Sequence, residues 1–152
     1  MWIMVGAPGS GKSTFANVLI EGDPGNIVKV CPDDNRRAIG GDSNNQAVSP
    51  QAFAMAKSQM GRALDAGKHV VFDATNMYRK ARKDFINIAR GRGAQVIAMV
   101  CECTKETLLE RNAKRGAQGG RNVPEDVIDR MLAKYQRPDT TEFDVVTFVS
   151  KT

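Results

Sequence analysis

Two short stretches carry residue types that do chemistry on phosphate. The first is "GAPGSGKST", residues 6–14. It satisfies G-x-x-x-x-G-K-[ST] in full, with Gly6, Gly11, Lys12 and Ser13 at the required positions. Gly6, Gly9 and Gly11 let backbone N–H groups, including that of Ser10, crowd around phosphate oxygens. Lys12 supplies a flexible cation for β- and γ-phosphates, and Ser13, followed by Thr14, offers a hydroxyl to Mg²⁺. A glycine-rich turn with no ligand would leave Lys12 without a task. The pattern therefore predicts a site for ATP or another nucleoside triphosphate.

The second stretch is "CPDDNRR", residues 31–37. Asp33 and Asp34 could accept a proton from an attacking hydroxyl, or one of them could cap a helix, as Asp commonly does. Spacing leaves both readings open and does not choose between the acids. Arg36 and Arg37 could grip an acceptor or pair with the acids on a solvated turn. Asp73 closes the apolar run "HVVFD" (69–73), as the acid of a Walker B strand does; the competing reading is again a cap. Arg111 and Arg115 stand four apart and share a helix face, with the flexible "GAQGG" after them. That arrangement suits a lid over ATP, although Glu106 and Glu110 could simply pair with them. "YRKARKDF" (78–85) concentrates four cations at the start of one helix and reads as a solvated face. Trp2 and Phe72 read as core.

These residues need a scaffold, and the hydropathy pattern supplies one. Apolar runs at 1–5, 27–31, 69–73, 94–102 and 144–149 read as strands, with Pro32 ending the second. Helical patterns cover about 12–21, 50–65, 78–90, 104–115 and 124–136, and a short turn covers 34–39. Phe53, Ala56, Met60 and Leu64 form one buried stripe; Ala81, Phe85, Ile88 and Ala89 form another. "GGDSNNQAVSP" (40–50) is a polar loop. Strand and helix alternate, which predicts an α/β fold: a five-stranded parallel sheet with helices on both faces; the lid reading of Arg111 and Arg115 would add a helical lid at about 111–124. The 152 residues suit one domain over 1–152.

Composition narrows the classes. No apolar stretch is long enough to span a bilayer, and "MWIMVGAPG" lacks the basic region of a signal peptide. The three cysteines and one histidine do not form a metal-ligand pattern. They read as reduced thiols of a cytoplasmic protein. The net charge of +5 favours a polyanionic partner, modestly.

Taken in order, "GAPGSGKST", "PDDNRR", "VVFDATN" and "RNAKRG" followed by "VP" resemble the kinase domain of phage-type 5′-polynucleotide kinases, over nearly the whole chain. The resemblance implies transfer of the γ-phosphate of ATP, with Mg²⁺, to the 5′-hydroxyl of DNA or RNA, and pairing with a ligase in repair. It implies that Asp33 is the general base, Arg36 a contact to the acceptor phosphate, and Asp73 and Asn76 acceptor-side residues. Lys12, Ser13 and Thr14 would hold the donor phosphates and Mg²⁺. Arg111 and Arg115 would be lid arginines, Arg115 nearest the transferring group. Asp34 is left as a cap and Arg37 as a surface cation. The longer, glycine-rich lid gives Arg121 no role. No Asp-x-Asp-x-[TV] element is present, so a kinase without a phosphatase is expected. Rival readings are a kinase for a small-molecule hydroxyl and a regulatory nucleotide-binding module.

Overall fold

The computed structural model describes residues 1–42 and 45–149. In chain order the elements are β1 (Trp2–Val5), α1 (Lys12–Gly22), β2 (Ile27–Val30), α2 (Pro32–Gly40), a short 3₁₀ turn (Gln46–Val48), α3 (Ser49–Asp65), β3 (His69–Phe72), α4 (Arg79–Arg90), β4 (Ile97–Cys101), α5 (Lys105–Ala117), α6 (Glu125–Ala133) and β5 (Val145–Val149). The five strands form one sheet in the order β2-β3-β1-β4-β5, and every pairing is parallel. This is the expected α/β architecture, of P-loop kinase type.

Strand alternation sorts the apolar side chains onto two faces. Ile3, Val5, Val70, Phe72, Ala98 and Val100 face one core, packed with Ala56 and Met60 of α3 and Phe85 and Ala89 of α4. Met4, Val71 and Cys101 face the other, against Ala16 of α1. A third cluster, with Ala7, Leu108 and Ile128, joins the phosphate loop to α5 and α6. The chain leaves the neighbouring strands β1 and β3 in opposite directions. Such a switch point is where α/β sheets collect ligands, outside the carboxyl ends of the strands.

Several sequence expectations change. Pro32 opens α2 at its first helical position rather than only ending a strand, because a proline there loses no hydrogen bond. The helix is therefore longer than the expected turn. Asp34 is not a cap: Cys31 occupies that position, and no side chain caps the helix. The 40–50 loop gains the 3₁₀ turn and gives Ser49 and Pro50 to α3; Ser43 and Asn44 lie outside the described residues. Strand β4 begins only at Ile97, because Val96 N–H donates to the Asp144 carboxylate (2.8 Å) instead of a ladder partner.

The stripe on α4 rotates by one residue. Arg82, Phe85, Ile86 and Ala89 are buried, while Ala81 is exposed. Arg82 thus belongs to no solvated face; its exposure is 0%. Its guanidinium donates to both oxygens of Glu142 (2.9 and 2.8 Å) and to the carbonyls of Asn76 (2.8 Å) and Gln136 (2.9 Å). It ties α4 to the segment before β5. Arg82→Met should cost about 3–5 kcal/mol, because Glu142 and two carbonyls lose their partner. Urea unfolding measures this, and a loss below about 1 kcal/mol would contradict the bracing role.

Candidate active site

The phosphate loop leaves β1 and folds back on itself. Gly6 N–H donates to the Thr75 carbonyl at 2.9 Å, linking the loop to the segment after β3. A Cβ on Gly6 would stand 2.6 Å from the Cys101 carbonyl, so no side chain fits. Gly9 adopts φ +89°, and a Cβ there would meet the Asn112 amide at 2.8 Å. Gly11 precedes α1, so the helix N-terminus points into the loop and favours an anion. Lys12 Nζ donates to the Ala7 carbonyl at 3.0 Å. Burial pulls the Lys12 pKa below its ordinary value, with the nearby Asp73 carboxylate opposing that pull. The Ser10 hydroxyl is buried without a partner.

Asp73, immediately after β3, accepts a hydrogen bond from the Ser13 hydroxyl at 2.8 Å. Lys29 Nζ lies 3.9 Å from the same carboxylate and 3.8 Å from Asp34. Asp73 therefore joins the phosphate-loop side of the site, as in the Walker B reading. Ser13 and Asp73 together offer hard oxygen ligands suited to Mg²⁺, which typically takes one or two protein oxygens along with substrate phosphates. No cluster of three or more His, Cys, Asp or Glu side chains placed to hold a metal exists among the described residues.

In α2 the acids diverge. Asp33 and Asp34 occupy the first turn, where negative charge complements the helix dipole. Asp33 pairs with Arg36 and also accepts from Arg121 Nη1 at 3.1 and 3.2 Å. Asp34 instead faces Arg37 at 3.7 Å, with both side chains more than half exposed. Arg36 is 4% exposed and reaches the Ser49 hydroxyl of α3 at 3.5 Å. Asn35 holds α2 on α3 by donating to the Ala52 carbonyl (3.1 Å) and the Gln59 side chain (3.0 Å).

Helix α5 carries Arg111 and Arg115. Its residue Asn112 donates to the Pro8 carbonyl at 2.6 Å and accepts from Arg115 Nη2 at 3.0 Å. Arg111 Nη1 donates to the Gly9 carbonyl at 3.2 Å. Arg115 Nε is buried with no hydrogen-bond partner among the described residues. Beyond the helix, the glycine-rich segment brings Arg121 back to Asp33.

Two cavities meet here. One, of about 260 Å³, is lined by Gly9, Gly11, Thr14 and Arg111 together with Lys12, Ser13 and Arg115. The other, of about 430 Å³, contains Asp33, Arg36, Asp73 and Arg121 and shares the same Lys12, Ser13 and Arg115. Lys12, Ser13 and Arg115 therefore border both cavities, whereas Gly6, Ser10 and Asn76 line neither.

Asn76 departs from its expected acceptor-side position. It is buried, and its amide donates to the Met4 carbonyl at 2.8 Å. Its φ of +48° lies in the left-handed region, which Asn tolerates better than most residues. It braces the chain after β3 and does not line the cavity that contains Asp33 and Arg36. Sequence reasoning missed Asn112, Lys29 and the engagement of Arg121. Asn112 adjoins Arg111 in "RNAKRG" and was legible there only as a neighbour of an arginine. Lys29 and Arg121 meet carboxylates distant in sequence, which no local pattern signals.

Residues 1–138 match the family described as AAA domain. L-seryl-tRNA(Sec) kinase of Methanococcus maripaludis is 28% identical over 152 residues, covering 91% of this chain and 53% of that protein. Transcription factor bHLH140 of Arabidopsis thaliana is 29% identical over 145 residues, covering 92% of this chain and 14% of that protein. A chain in the Pnkp1/Rnl/Hen1 RNA repair complex superposes with a TM-score of 0.77 at 31% identity, covering 88% of this chain and 42% of that one. The chain thus spans about half or less of the length of these relatives. No helix among the described residues is long and apolar enough to cross a membrane. With its phosphate loop at a parallel-sheet switch point and the match over residues 1–138, the chain belongs to the AAA domain family, on a P-loop kinase-type fold.

Proposed function

We propose that this P-loop phosphotransferase is an ATP-dependent 5′-hydroxyl polynucleotide kinase. The observation that carries the reading is the pair of cavities sharing Lys12, Ser13 and Arg115, with Asp33 and Arg36 in the second. ATP enters the first, its phosphates on the loop amides, Lys12 and Thr14, with Arg111 and Arg115 closing over them. The acceptor enters the second. Its 5′-oxygen attacks the γ-phosphorus, the bond from that phosphorus to the β–γ bridging oxygen breaks, and ADP leaves. Asp33 orients the hydroxyl and takes its proton late, as fits a largely dissociative transfer. Arg36 grips the acceptor phosphate nearest the reacting end. Ser13 and Asp73 would hold Mg²⁺, which when bound neutralises charge on the β- and γ-phosphates.

The 31% identity to a chain of an RNA repair complex supports a nucleic-acid acceptor and pairing with a ligase. The relative named for a seryl-tRNA substrate keeps other hydroxyl acceptors in competition. One assay discriminates. The protein is incubated with γ-labelled ATP, Mg²⁺ and 5′-hydroxyl DNA and RNA oligonucleotides, beside a nucleoside and its 3′-phosphate. Label should pass to the oligonucleotides and to the nucleoside 3′-phosphate, but poorly to the nucleoside. Absence of label on both oligonucleotides would refute the reading. Binding or hydrolysis with no acceptor labelled would point to a regulatory nucleotide-binding module.

A further inference from the structure

The stripe on α3 hides a residue with another use. Phe53 is expected in the core with Ala56, Met60 and Leu64, yet it is 37% exposed. It lines the cavity that contains Asp33 and Arg36. An exposed phenylalanine is unremarkable by itself; its surroundings make it informative. Ser49, one helical turn before Phe53, accepts from Arg36 and donates to the Gln46 side chain at 3.1 Å. Asp33, Arg36, Ser49 and Phe53 therefore form one continuous wall leading away from the reacting centre.

The ring is also braced from behind. Phe53 and Phe85 have centroids 6.3 Å apart at a tilt of 55°, and Phe85 stacks on the fully buried Phe72 at 4.1 Å. Three rings thus run from the core to the cavity. Little side-chain entropy remains to be lost when a flat ligand settles on the outermost ring. Arg37 lines the same cavity and adds a cation beside it.

We propose that Phe53 is the stacking platform for the acceptor nucleobase next to the reacting 5′-hydroxyl. The inference rests on the polynucleotide-kinase reading and deepens it. With Arg36 on the phosphate and Asp33 on the hydroxyl, the base is the remaining part of the terminal nucleotide, and among the residues that line the cavity Phe53 is the one that offers it an aromatic face. Every base has a π-face, so such a platform tolerates sequence. A sugar acceptor has no comparable π-face, which makes Phe53 a determinant of acceptor class.

The test compares 3′-labelled 5′-hydroxyl oligonucleotides that carry bases throughout with ones whose two 5′-terminal sugars lack bases. Binding is followed by fluorescence anisotropy and transfer by kinetics, for the unmodified protein, Phe53→Leu and Phe53→Trp. Leucine keeps an apolar side chain but has no π-face; tryptophan keeps a face. The unmodified protein should bind the base-bearing strand about tenfold or more tighter than the abasic one. Phe53→Leu should close that gap by raising the acceptor KM, with kcat and the ATP KM changed less than about twofold. Phe53→Trp should preserve the gap.

A gap retained in Phe53→Leu, or none in the unmodified protein, would overturn the platform. If the oligonucleotides are still labelled in either case, the kinase reading stands. If the unmodified protein neither binds nor labels any oligonucleotide, the kinase reading falls and the platform with it.

Discussion

Asp33→Asn is expected to slow phosphoryl transfer by roughly 10²–10⁴-fold, the usual cost of removing a general base, while ATP binding persists. Asn preserves the shape and one carbonyl acceptor, so Arg36 and Arg121 retain a partner. What disappears is the negative charge and the capacity to take a proton. Asp33 stands in the second cavity, apart from the residues that line only the first, so the ATP KM should stay near its original value. Asp34→Asn is the control. Among the described residues its carboxylate lies 3.7–3.8 Å from Lys29 and Arg37, and its side chain is more than half exposed. Such pairs contribute little, and transfer should change by less than about threefold. Single-turnover transfer of label, beside a direct nucleotide-binding titration, separates the two effects. Full transfer by Asp33→Asn would remove Asp33 from the base role and reopen the question of which group receives the proton.

The second large effect concerns Arg115. Arg115→Ala is expected to reduce transfer by roughly 10³–10⁵-fold, as loss of an arginine finger does. Three observations single it out. It borders both cavities. Its Nε is buried without a partner. Its Nη2 is aimed by Asn112, the residue that also grips the phosphate loop at Pro8. A guanidinium held at one corner with a donor unused suits charge that develops on a transferring phosphoryl group. Arg115→Lys should not restore the rate, because a point charge lacks the planar fork of donors. Arg111→Ala should act mainly on ATP binding, since Arg111 already donates to the Gly9 carbonyl and lines only the first cavity. If Arg115→Ala transfers label as fast as the unmodified protein, the lid has no catalytic part. If it changes only the ATP KM, Arg115 binds the ground state and transition state alike.

The phosphate loop was legible because its chemistry is local. Consecutive backbone amides, one lysine and one serine do the binding, and strand and helix patterns on either side set the frame. Parallel-sheet architecture was legible for a similar reason: alternation of apolar runs with 3.6-residue periodicity survives small errors at element ends. Arg82 was not legible. Four cations in eight residues look like a solvated face, and only the arrival of Glu142 and the Gln136 carbonyl from a distant segment, beside the nearby Asn76 carbonyl, makes a buried arginine tolerable. Phe53 failed in the opposite direction. Its helical spacing is that of a core residue, but its ring is part-exposed and lines the cavity that holds Asp33 and Arg36. Asn76 looked like part of a substrate motif, and its amide turned out to serve the Met4 carbonyl.

By itself the sequence determined the phosphate-binding chemistry, the α/β class and the set of acids and arginines from which a transfer site could be built. Those follow from residue type and near-neighbour spacing. Tertiary structure decided how that set divides. Two adjacent aspartates on the first turn of a helix line the same cavity but meet different partners: Asp33 pairs with Arg36 and Arg121, while Asp34 lies near Lys29 and Arg37. Asp73 could be assigned to Ser13 only when β3 lay beside β1. Arg121 acquired a partner only when the glycine-rich segment folded back on α2. The Ser13–Asp73 and Asp33–Arg121 contacts join segments tens of residues apart, fixed by sheet order and helix packing, and neither spacing nor composition encodes such a meeting in readable form.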